Sequence, residues 1–482
     1  MNIRLIYKIL TLFLLVVAVF MALPSVVAAV YGETHLIPHF LIPSLAVIAL
    51  SAVSFLTIKP KSTSLLARDI FLLANLAWFG AILVCSIPFI TSGEFPSVID
   101  AIFETASGFT TTGASILTEI EDRSRSILFW RSMTHWLGGM GIISLAVAVF
   151  PLFGVSGLPL LRAEMPGPDV EKLTPRITRT ALILWLIYLS FTVAETALLM
   201  LGGLDLYDAL THTFGTLATG GFSPYNNSIA AFDSAYVQWV ITVFMLLAGV
   251  NFVLHFRLIT LQFRHLARNS ELKAYLLIFF TATILVTASI HGEVYESIYE
   301  SMRYGAFQVA SLMTTTGYVT ADYDLWPALG KAALFIMFFV GGSVGSTGGG
   351  IKVMRVLSLA KQAFVELKYL LYPKGVFRAH INGAPVNKMF LYSVTGFVFL
   401  YFSMLLVTTL FVASSGTELL SSFSASLAIV GNVGPGFGEV GPTQNYALFP
   451  DYVKAWLSIA MVVGRLEIFT VIIIFTPTFW RR

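Results

Sequence analysis

The chain has 482 residues, of which 57% are hydrophobic and 11% charged, and its mean hydropathy is +0.82. This composition excludes a soluble globular protein and predicts a polytopic membrane protein. The net charge of +3 is too small to indicate nucleic-acid binding, and the single cysteine, Cys85, excludes disulfides and thiolate metal sites within the chain.

Ten apolar runs are long enough to cross a membrane, since a hydrocarbon core about 30 Å thick requires about 20 apolar residues in a helix. The predicted spans are 7–31, 36–58, 69–91, 124–153, 177–202, 234–255, 274–291, 327–360, 386–414 and 452–477. Residues 1–31 could instead be a signal peptide, because Arg4 and Lys8 precede the first run, although the run is long for one.

Four half-length stretches separate the later spans in pairs. They cover 96–108, 204–217, 297–313 and 416–429. Because they are too short to cross the core, we interpret them as re-entrant pore helices, whose C-terminal ends would favour a cation at the pore axis. The predicted organisation is then two extra N-terminal helices in 1–67 and four repeats in 68–160, 175–268, 270–365 and 384–482.

The distribution of charge supports this topology. With the N-terminus in the cytoplasm, most lysines and arginines fall on the cytoplasmic side, as the positive-inside rule requires. Acidic residues near the starts of the pore helices would form an outer vestibule that concentrates cations. They are Asp100, Glu104, Asp205, Asp208, Glu296, Glu300 and Glu418. Alternatively, each is there because Asp and Glu favour the first turn of a helix.

A small-residue turn follows each predicted pore helix. The four turns are Thr110–Gly113, Leu217–Gly220, Thr314–Gly317 and Val430–Gly434, and their glycines Gly113, Gly220, Gly317 and Gly434 recur at intervals of 107, 97 and 117 residues. Backbone carbonyls replace the hydration shell of an ion only where the chain turns them inward, which favours small residues and a glycine with positive φ. Four such turns predict a single-chain cation pore with fourfold pseudosymmetry.

Two of these turns resemble the filter strands of the Trk/Ktr/HKT superfamily of potassium transporters. They read Thr110-Thr111-Thr112-Gly113-Ala114-Ser115 and Thr314-Thr315-Thr316-Gly317-Tyr318. The resemblance covers essentially the whole chain, and the two extra N-terminal helices mark the bacterial Trk branch. It implies an all-α polytopic membrane protein, with four pseudosymmetric repeats of helix, pore helix and helix around a central pore, that takes up potassium across the bacterial inner membrane.

The same resemblance implies that K+ is the transported ion and that the chain carries no organic cofactor. The implied K+ ligands, mainly backbone carbonyls, are Thr111, Thr112, Gly113, Ala218, Thr219, Gly220, Thr315, Thr316, Gly317, Asn432, Val433 and Gly434. In the family, a serine in place of the first-repeat glycine accompanies sodium permeation, so glycine at all four positions implies potassium selectivity. A homodimer and a cytosolic ring of nucleotide-binding regulatory subunits are the implied protein partners.

The eighth span contains six glycines in residues 341–352. Glycine costs about 1 kcal/mol per helical position relative to alanine, so this stretch is predicted to unwind into a loop just below the filter. A phosphate-binding P-loop is the competing interpretation, but Ile351 separates Gly350 from Lys352 and no Ser or Thr follows. The stretch 341–350 resembles the intramembrane gate loop of the family. The implied gate residues are Gly345, Ser346, Thr347 and Gly348.

Arg465 is the one basic residue predicted deep within a span, about 20 Å from either end at about 1.5 Å per residue. A charge there is expensive unless it faces a wet cavity or a partner, and Glu467 would point to nearly the opposite face of the same helix. Pairing with Glu195 of another helix is one interpretation. The other, which the family resemblance favours, is a guanidinium in the pore below the filter that raises the barrier to cations.

The remaining polar features have plainer interpretations. His135 and Trp136 are predicted to pack at the membrane interface rather than to relay protons. The basic cytoplasmic loops 155–176, 256–273 and 361–385 lack a nucleotide fold and could meet anionic membrane lipid.

The sequence supports two other functions less well than potassium uptake. A membrane-embedded transferase would need a cluster of acidic or nucleophilic residues at one membrane face, which the sequence lacks, so a transporter rather than an enzyme is predicted. A sodium-conducting member of the same superfamily is the nearer alternative. The sequence leaves open whether flux is channel-like or coupled to protons or sodium.

Overall fold

The structure, a computed structural model, describes residues 1–58, 65–141 and 177–481. Across these residues the chain is mostly helical, and its strands are one two-residue hairpin of β1 (His380–Ile381) and β2 (Ala384–Pro385). This confirms the predicted all-α class. The predicted loop 155–176 and residues 142–153 of the fourth predicted span lie outside the described residues.

Three helices form the two extra N-terminal spans. They are α1 (Ile3–Met21), α2 (Pro24–Val30) and α3 (Ile37–Thr57). Pro24 begins α2, a position where its missing N–H costs no hydrogen bond. Hydroxyl groups join α1 to α3: Ser51 Oγ donates to Thr11 O at 2.8 Å, and the hydroxyls of Thr11 and Ser54 lie 3.0 Å apart. Such polar contacts between helices hold spans together where lipid offers no hydrophobic drive.

The rest of the described chain alternates long helices with short ones. In chain order they are α4 (Ala67–Cys85), α5 (Ile87–Ser92), α6 (Val98–Phe109), α7 (Arg125–Trp136), α8 (Ile177–Leu201), α9 (Leu206–Leu217), α10 (Ala235–Ala248), α11 (Phe252–Ile259), α12 (Phe263–Arg268), α13 (Ser270–Ile290), α14 (Ile298–Met313), α15 (Ala328–Met337), α16 (Val353–Leu371), α17 (Lys388–Ala413), α18 (Leu419–Val430), α19 (Asp451–Arg465), α20 (Phe469–Ile472) and α21 (Pro477–Trp480). A π-helical turn, Leu137–Gly141, follows α7.

Four of the short helices, α6, α9, α14 and α18, occupy the positions of the predicted pore helices. At 12 to 16 residues they are too short to span the membrane. Ser97 and Asp205 cap the first two by accepting from the N–H groups of Asp100 and Asp208. Behind them, α9 packs on α8, α14 on α13 and α18 on α17. The four-repeat architecture predicted from the sequence is therefore confirmed.

Several predicted spans are not straight helices. Within the described residues, six helices are long and apolar enough to cross a membrane, against the ten spans predicted. Two further spans are bent: α10 meets α11 at 101°, and α19 meets the segment Phe469–Phe475 at 110°. The continuous helices predicted for 234–255 and 452–477 are therefore wrong. The eighth span, 327–360, is interrupted between α15 and α16, as its glycines predict.

Candidate ion-conducting site

Each of the four short helices ends in the same backbone turn. The second residue after the helix is left-handed, with φ of +54° at Thr111, +55° at Thr219, +61° at Thr315 and +55° at Asn432. The next N–H then donates five residues back, as from Thr112 to Ser107 O at 2.9 Å, which closes a Schellman motif. A β-branched residue rarely takes positive φ. The backbone is therefore strained at the three threonines, and the surrounding contacts maintain this conformation.

A glycine two residues further on packs each turn against the next. These glycines also have positive φ: +81° at Gly113, +78° at Gly221, +79° at Gly317 and +96° at Gly434. A β-carbon built on them would lie 2.1 Å from Gly220 O, 2.0 Å from Thr316 O, 2.1 Å from Val433 O and 2.6 Å from Thr112 O, respectively. Only glycine fits such an approach.

Each of those four oxygens belongs to the residue just before the glycine of another turn. The first turn meets the second, the second meets the third, the third meets the fourth and the fourth returns to the first. The four turns therefore close a ring with fourfold pseudosymmetry, and its residues are buried except for Gly113 and Gly221, which are half-buried. The predicted residues of all four turns lie in it.

The predicted register of the second turn is wrong by one residue. Gly221, not Gly220, has the positive φ, and Gly220 supplies the carbonyl that faces Gly113. Ala218 is therefore one residue earlier in the turn than predicted. Gly221 lies four residues after the end of its helix, as the glycines of the other three turns do. The offset is counted from the helix ends that the structure gives, so the sequence alone does not show it.

Side chains stabilise the ring from behind. The hydroxyls of Thr110 and Thr112 lie 2.7 Å apart, and Asn432 Nδ2 donates to Thr112 Oγ1 at 2.9 Å and to Met461 O at 3.0 Å. The fourth turn has Asn432 where the other three turns have threonine, and the side-chain amide of Asn432 joins the fourth turn to the first. Tyr446 donates its hydroxyl to Gly434 O at 2.8 Å.

His135 lies behind the first two turns and is fully buried. Its Nδ1 is 2.7 Å from Gly108 O, its ring stacks on Phe222 at 4.0 Å, and a β-carbon on Gly220 would lie 2.5 Å from the ring. Since a carbonyl oxygen only accepts, Nδ1 carries the proton. Trp136 is likewise buried. The interfacial position predicted for this pair is therefore wrong, and His135 packs against the ring instead.

The glycine-rich stretch forms a loop, residues 338–352, on the cytoplasmic side of the predicted topology and against the turns. Gly349 N donates to Thr315 Oγ1 at 2.6 Å. A β-carbon on Gly348 would lie 3.0 Å from Thr314 O, and one on Gly349 would lie 2.5 Å from Gly431 O. The loop thus reaches the third and fourth turns with no room for side chains, which explains why the segment is rich in glycine.

Both ends of this loop are tied to neighbouring helices. The break between α10 and α11 leaves Gly249 O available, and it accepts from Ser343 N at 2.9 Å. Glu271 Oε1 accepts from Val344 N at 2.8 Å and from Met354 N at 3.2 Å. The predicted gate residues Gly345, Ser346, Thr347 and Gly348 all lie between these anchors.

Arg465 is the last residue of α19, not the middle of a continuous helix as predicted. Its guanidinium donates to Thr347 O at 2.7 Å, to Gly138 O at 2.9 Å and to Gly139 O at 2.7 Å. Thr347 belongs to the glycine-rich loop, and the two glycines belong to the π-helical turn after α7. Arg465 therefore joins three repeats through hydrogen bonds to backbone carbonyls.

Glu467 lies in the bend that follows Arg465 and has a φ of +54°. It forms an ion pair with Arg355 of α16, whose guanidinium also lies 3.9 Å from the Phe397 ring centroid. Glu467 was expected on the helix face opposite Arg465 because the helix was predicted to continue past both residues. The helix bends after Arg465, so that expectation does not apply. The bend instead directs the carboxylate toward α16.

Two of the predicted vestibule acids are paired with cations. Asp100 Oδ1 accepts from Lys454 Nζ at 2.5 Å, and Glu104 is fully buried against Arg131. Each cation offsets the field of its carboxylate, so the vestibule prediction does not hold for these two residues. The exposed members of the set are Asp205, Glu296, Glu300 and Glu418.

Asp208, another predicted vestibule acid, is held by a tyrosine. Tyr225 donates its hydroxyl to Asp208 Oδ2 at 2.8 Å. Burial raises the pKa of Tyr225 to about 12, and the hydrogen bond to Asp208 contributes in the same direction. The phenol therefore stays protonated and continues to donate at neutral pH.

A ring of four equivalent turns, each following a short re-entrant helix and set among membrane-spanning helices, defines a single-chain cation-transporting membrane protein. The chain matches the TrkH family, described as a cation transport protein, over residues 36–482. It belongs to this family.

Known relatives match over the full length of the chain. It is 38% identical to the Trk system potassium uptake protein TrkH of Escherichia coli (strain K12), with all of both chains covered. It is 35% identical to TrkG of the same organism, with 95% of this chain and 94% of that protein covered. The crystal structure of the potassium transporter TrkH from Vibrio parahaemolyticus covers both chains completely, at 35% identity and a TM-score of 0.89. These matches confirm the resemblance that the sequence indicated.

Proposed function

We propose that this chain carries potassium ions into the cell across the bacterial inner membrane, through the ring of four turns. The observation that carries this proposal is the closure of the ring, in which the glycine of every turn faces a carbonyl of another turn. Potassium uptake is also the activity named for the relatives TrkH and TrkG.

In this proposal the backbone carbonyls of the ring take the place of the hydration shell of K+. The ligands are those predicted from the sequence, with Gly221 added to the second turn. The close approach of each glycine to a neighbouring carbonyl fixes the distance between turns. The C-terminal ends of α6, α9, α14 and α18 meet the ring, so their partial negative charge favours a cation there without a buried carboxylate.

We propose that the glycine-rich loop and Arg465 form a gate below the ring. The loop lies against the third and fourth turns, and the guanidinium of Arg465 donates a hydrogen bond to Thr347 O of the same loop. Conduction then requires the loop to leave this position. Because Arg465 donates to Thr347 O, movement of the loop also breaks a contact of the guanidinium, which couples the two parts of the gate.

We also propose a homodimer, an N-terminus in the cytoplasm and a cytosolic nucleotide-binding regulatory subunit. The family resemblance and the excess of basic residues on the predicted cytoplasmic side support these assignments. The basic segment α12 (Phe263–Arg268) and the hairpin β1–β2 lie on that side and would meet the regulatory subunit or anionic lipid.

Shortening the loop within residues 343–349 is expected to raise basal potassium uptake and to weaken its dependence on any cytosolic partner. The segment occupies the space beneath the ring and holds Thr347 against Arg465. The measurement is uptake by cells that lack other potassium transporters, with and without the partner. A protein that folds but is inactive would assign the loop to structure instead of gating.

A point variant tests the same gate with less risk to folding. Glu271→Ala removes the acceptor shared by Val344 N and Met354 N, and is expected to raise basal uptake by about threefold, the effect of about 0.6 kcal/mol. The control is Glu366→Ala, because Glu366 is an exposed carboxylate on α16 that accepts from Gln362. Equal uptake in the two variants would contradict an anchoring role for Glu271.

The proposed function is tested by ion flux into proteoliposomes, with potassium, sodium and proton gradients varied separately. We expect a potassium gradient alone to drive uptake and sodium to compete weakly. Uptake that follows the sodium gradient and ignores potassium would contradict the proposal and favour the sodium-conducting alternative. Dependence on an imposed proton gradient would identify coupled transport through the same ring.

A further inference from the structure

A buried ion pair lies directly behind the first two turns. Glu104 of α6 and Arg131 of α7 are 0% and 2% exposed, and Arg131 Nε lies 2.6 Å from Glu104 Oε1. Two charges taken out of water cost free energy that their attraction repays only when further hydrogen bonds satisfy them. In other proteins, replacing a buried ion pair by hydrophobic residues of similar volume is often neutral for stability. The presence of a charged pair here is therefore better explained by the backbone segments to which the two side chains are hydrogen-bonded.

The carboxylate of Glu104 holds the chain just past the first turn. Oε1 accepts from Ser115 Oγ at 2.8 Å, in addition to Arg131, and Oε2 accepts from Ile116 N at 3.0 Å. Ser115 and Ile116 follow Gly113 by two and three residues. The carboxylate thereby fixes the outer end of the first turn to its own pore helix.

The guanidinium of Arg131 extends this contact to the second turn. Nη1 donates to Ser223 O at 2.9 Å, and the guanidinium carbon lies 3.5 Å from the Phe222 ring centroid. These two residues follow Gly221 directly. One ion pair therefore joins the segments that leave the first and second turns, outside the point where Gly113 meets Gly220 O.

The other repeats have different side chains at the position of Glu104. Comparing them shows what the hydrogen bond does and what the charge does. The residues nine positions before the four positive-φ glycines are Glu104, His212, Gln308 and Ala425. His212 Nε2 lies 2.9 Å from Ser223 Oγ, and Gln308 Nε2 donates to Thr320 Oγ1 at 3.2 Å. Neutral side chains thus hold the equivalent segment in repeats two and three. Compared with these side chains, the additional effect of the negative charge of Glu104 is the ion pair with Arg131.

We propose that the Glu104–Arg131 pair is a positioning element that sets the separation of the first and second turns, and through it the preference for potassium over sodium. The proposal rests on the proposed filter function of the ring. Neither side chain meets the ion. A ring held at a fixed width cannot close around the smaller Na+. Loss of the Glu104–Arg131 pair would let the first two turns approach each other, and this would lower the preference for K+ over Na+.

Glu104→Gln tests this proposal. A glutamine amide has one acceptor oxygen, so its NH2 group faces a donor in either orientation, either Arg131 Nε–H or Ile116 N–H. We expect the ratio of potassium to sodium uptake in proteoliposomes to fall by about tenfold, with a smaller change in potassium uptake without sodium. The matched control is Glu33→Gln, since Glu33 accepts from Arg125 N and Ser126 N at the outer start of α7, away from the ring.

The double variant Glu104→Gln, Arg131→Gln separates positioning from simple stability. It leaves no unpaired buried charge, so the melting temperature should recover relative to either single variant. If the pair positions the turns, the uptake ratio stays low even though stability returns. If the ratio recovers together with stability, the pair is only structural and the proposal is overturned. The double variant also provides the test if Glu104→Gln alone does not fold.

Gly113→Ser, measured in parallel, distinguishes failure of this inference from failure of the proposed filter. A normal ratio in Glu104→Gln together with a lowered ratio in Gly113→Ser overturns the positioning role and keeps the filter. A normal ratio in both folded variants overturns the filter itself, and with it the positioning role.

Discussion

Replacing Gly113 by serine is expected to lower the ratio of potassium to sodium uptake by at least about tenfold, the effect of about 1.4 kcal/mol. Gly113 has a φ of +81°, where a residue with a β-carbon pays about 1–2 kcal/mol. That β-carbon would also lie 2.1 Å from Gly220 O, so the second turn must move. The measurement is paired uptake of the two ions by the purified, folded protein.

Gly203→Ser is the matched control for this prediction. Gly203 has a φ of +95°, but a β-carbon there would meet nothing within 4 Å. The control therefore has the backbone strain without the clash and should keep the wild-type ratio. Gly221→Ser should behave like Gly113→Ser, because its β-carbon would meet Thr316 O at 2.0 Å. An unchanged ratio in folded Gly113→Ser protein would mean that this turn has no part in selectivity.

Replacing Arg465 by alanine is expected to raise potassium flux by about tenfold while leaving the uptake ratio largely intact. Two unit charges 4 Å apart interact by about 4 kcal/mol at an effective dielectric constant of about 20, and about 1.4 kcal/mol of barrier already corresponds to tenfold in rate. The substitution also removes the hydrogen bonds from the guanidinium to Thr347 O, Gly138 O and Gly139 O. The measurement is initial uptake at equal amounts of protein in the membrane.

Arg465→Lys distinguishes the two ways in which this residue can act. Lysine keeps the positive charge but cannot reproduce the fork that reaches Thr347 O, Gly138 O and Gly139 O together. Low flux in the lysine variant would assign the barrier to charge, and raised flux would assign it to the tether on the loop. The alternative pairing of Arg465 with Glu195 is wrong, because neither carboxylate oxygen of Glu195 has a hydrogen-bond partner among the described residues. If Arg465→Ala destabilises the protein and does not raise flux, the barrier hypothesis fails.

The sequence predicted those features that depend on local backbone chemistry. Small-residue turns with a glycine can be recognised because few residues tolerate positive φ, and six glycines in residues 341–352 predict an interrupted helix for the same reason. The register of the second turn was missed because Gly220 and Gly221 are adjacent, and composition alone does not say which one is left-handed.

Features set by tertiary contacts could not be read from the pattern. Glu104 and Asp100 look like exposed acids at the start of a helix, and only the fold brings Arg131 and Lys454 to them. Arg465 was predicted in the middle of a helix because the apolar run continues past it. The run does not reveal the 110° bend, in which Glu467 forms an ion pair with Arg355 of another helix.

The most direct test of the ring as the potassium site is to locate the ion itself. Crystals grown with rubidium in place of potassium would give anomalous scattering from the bound cation. We expect rubidium at the centre of the ring, within coordination distance of the carbonyl oxygens of Thr112, Gly220, Thr316 and Val433, and its loss in Gly113→Ser protein. Rubidium bound elsewhere along the pore, with the ring empty in protein that still transports potassium, would contradict the assignment.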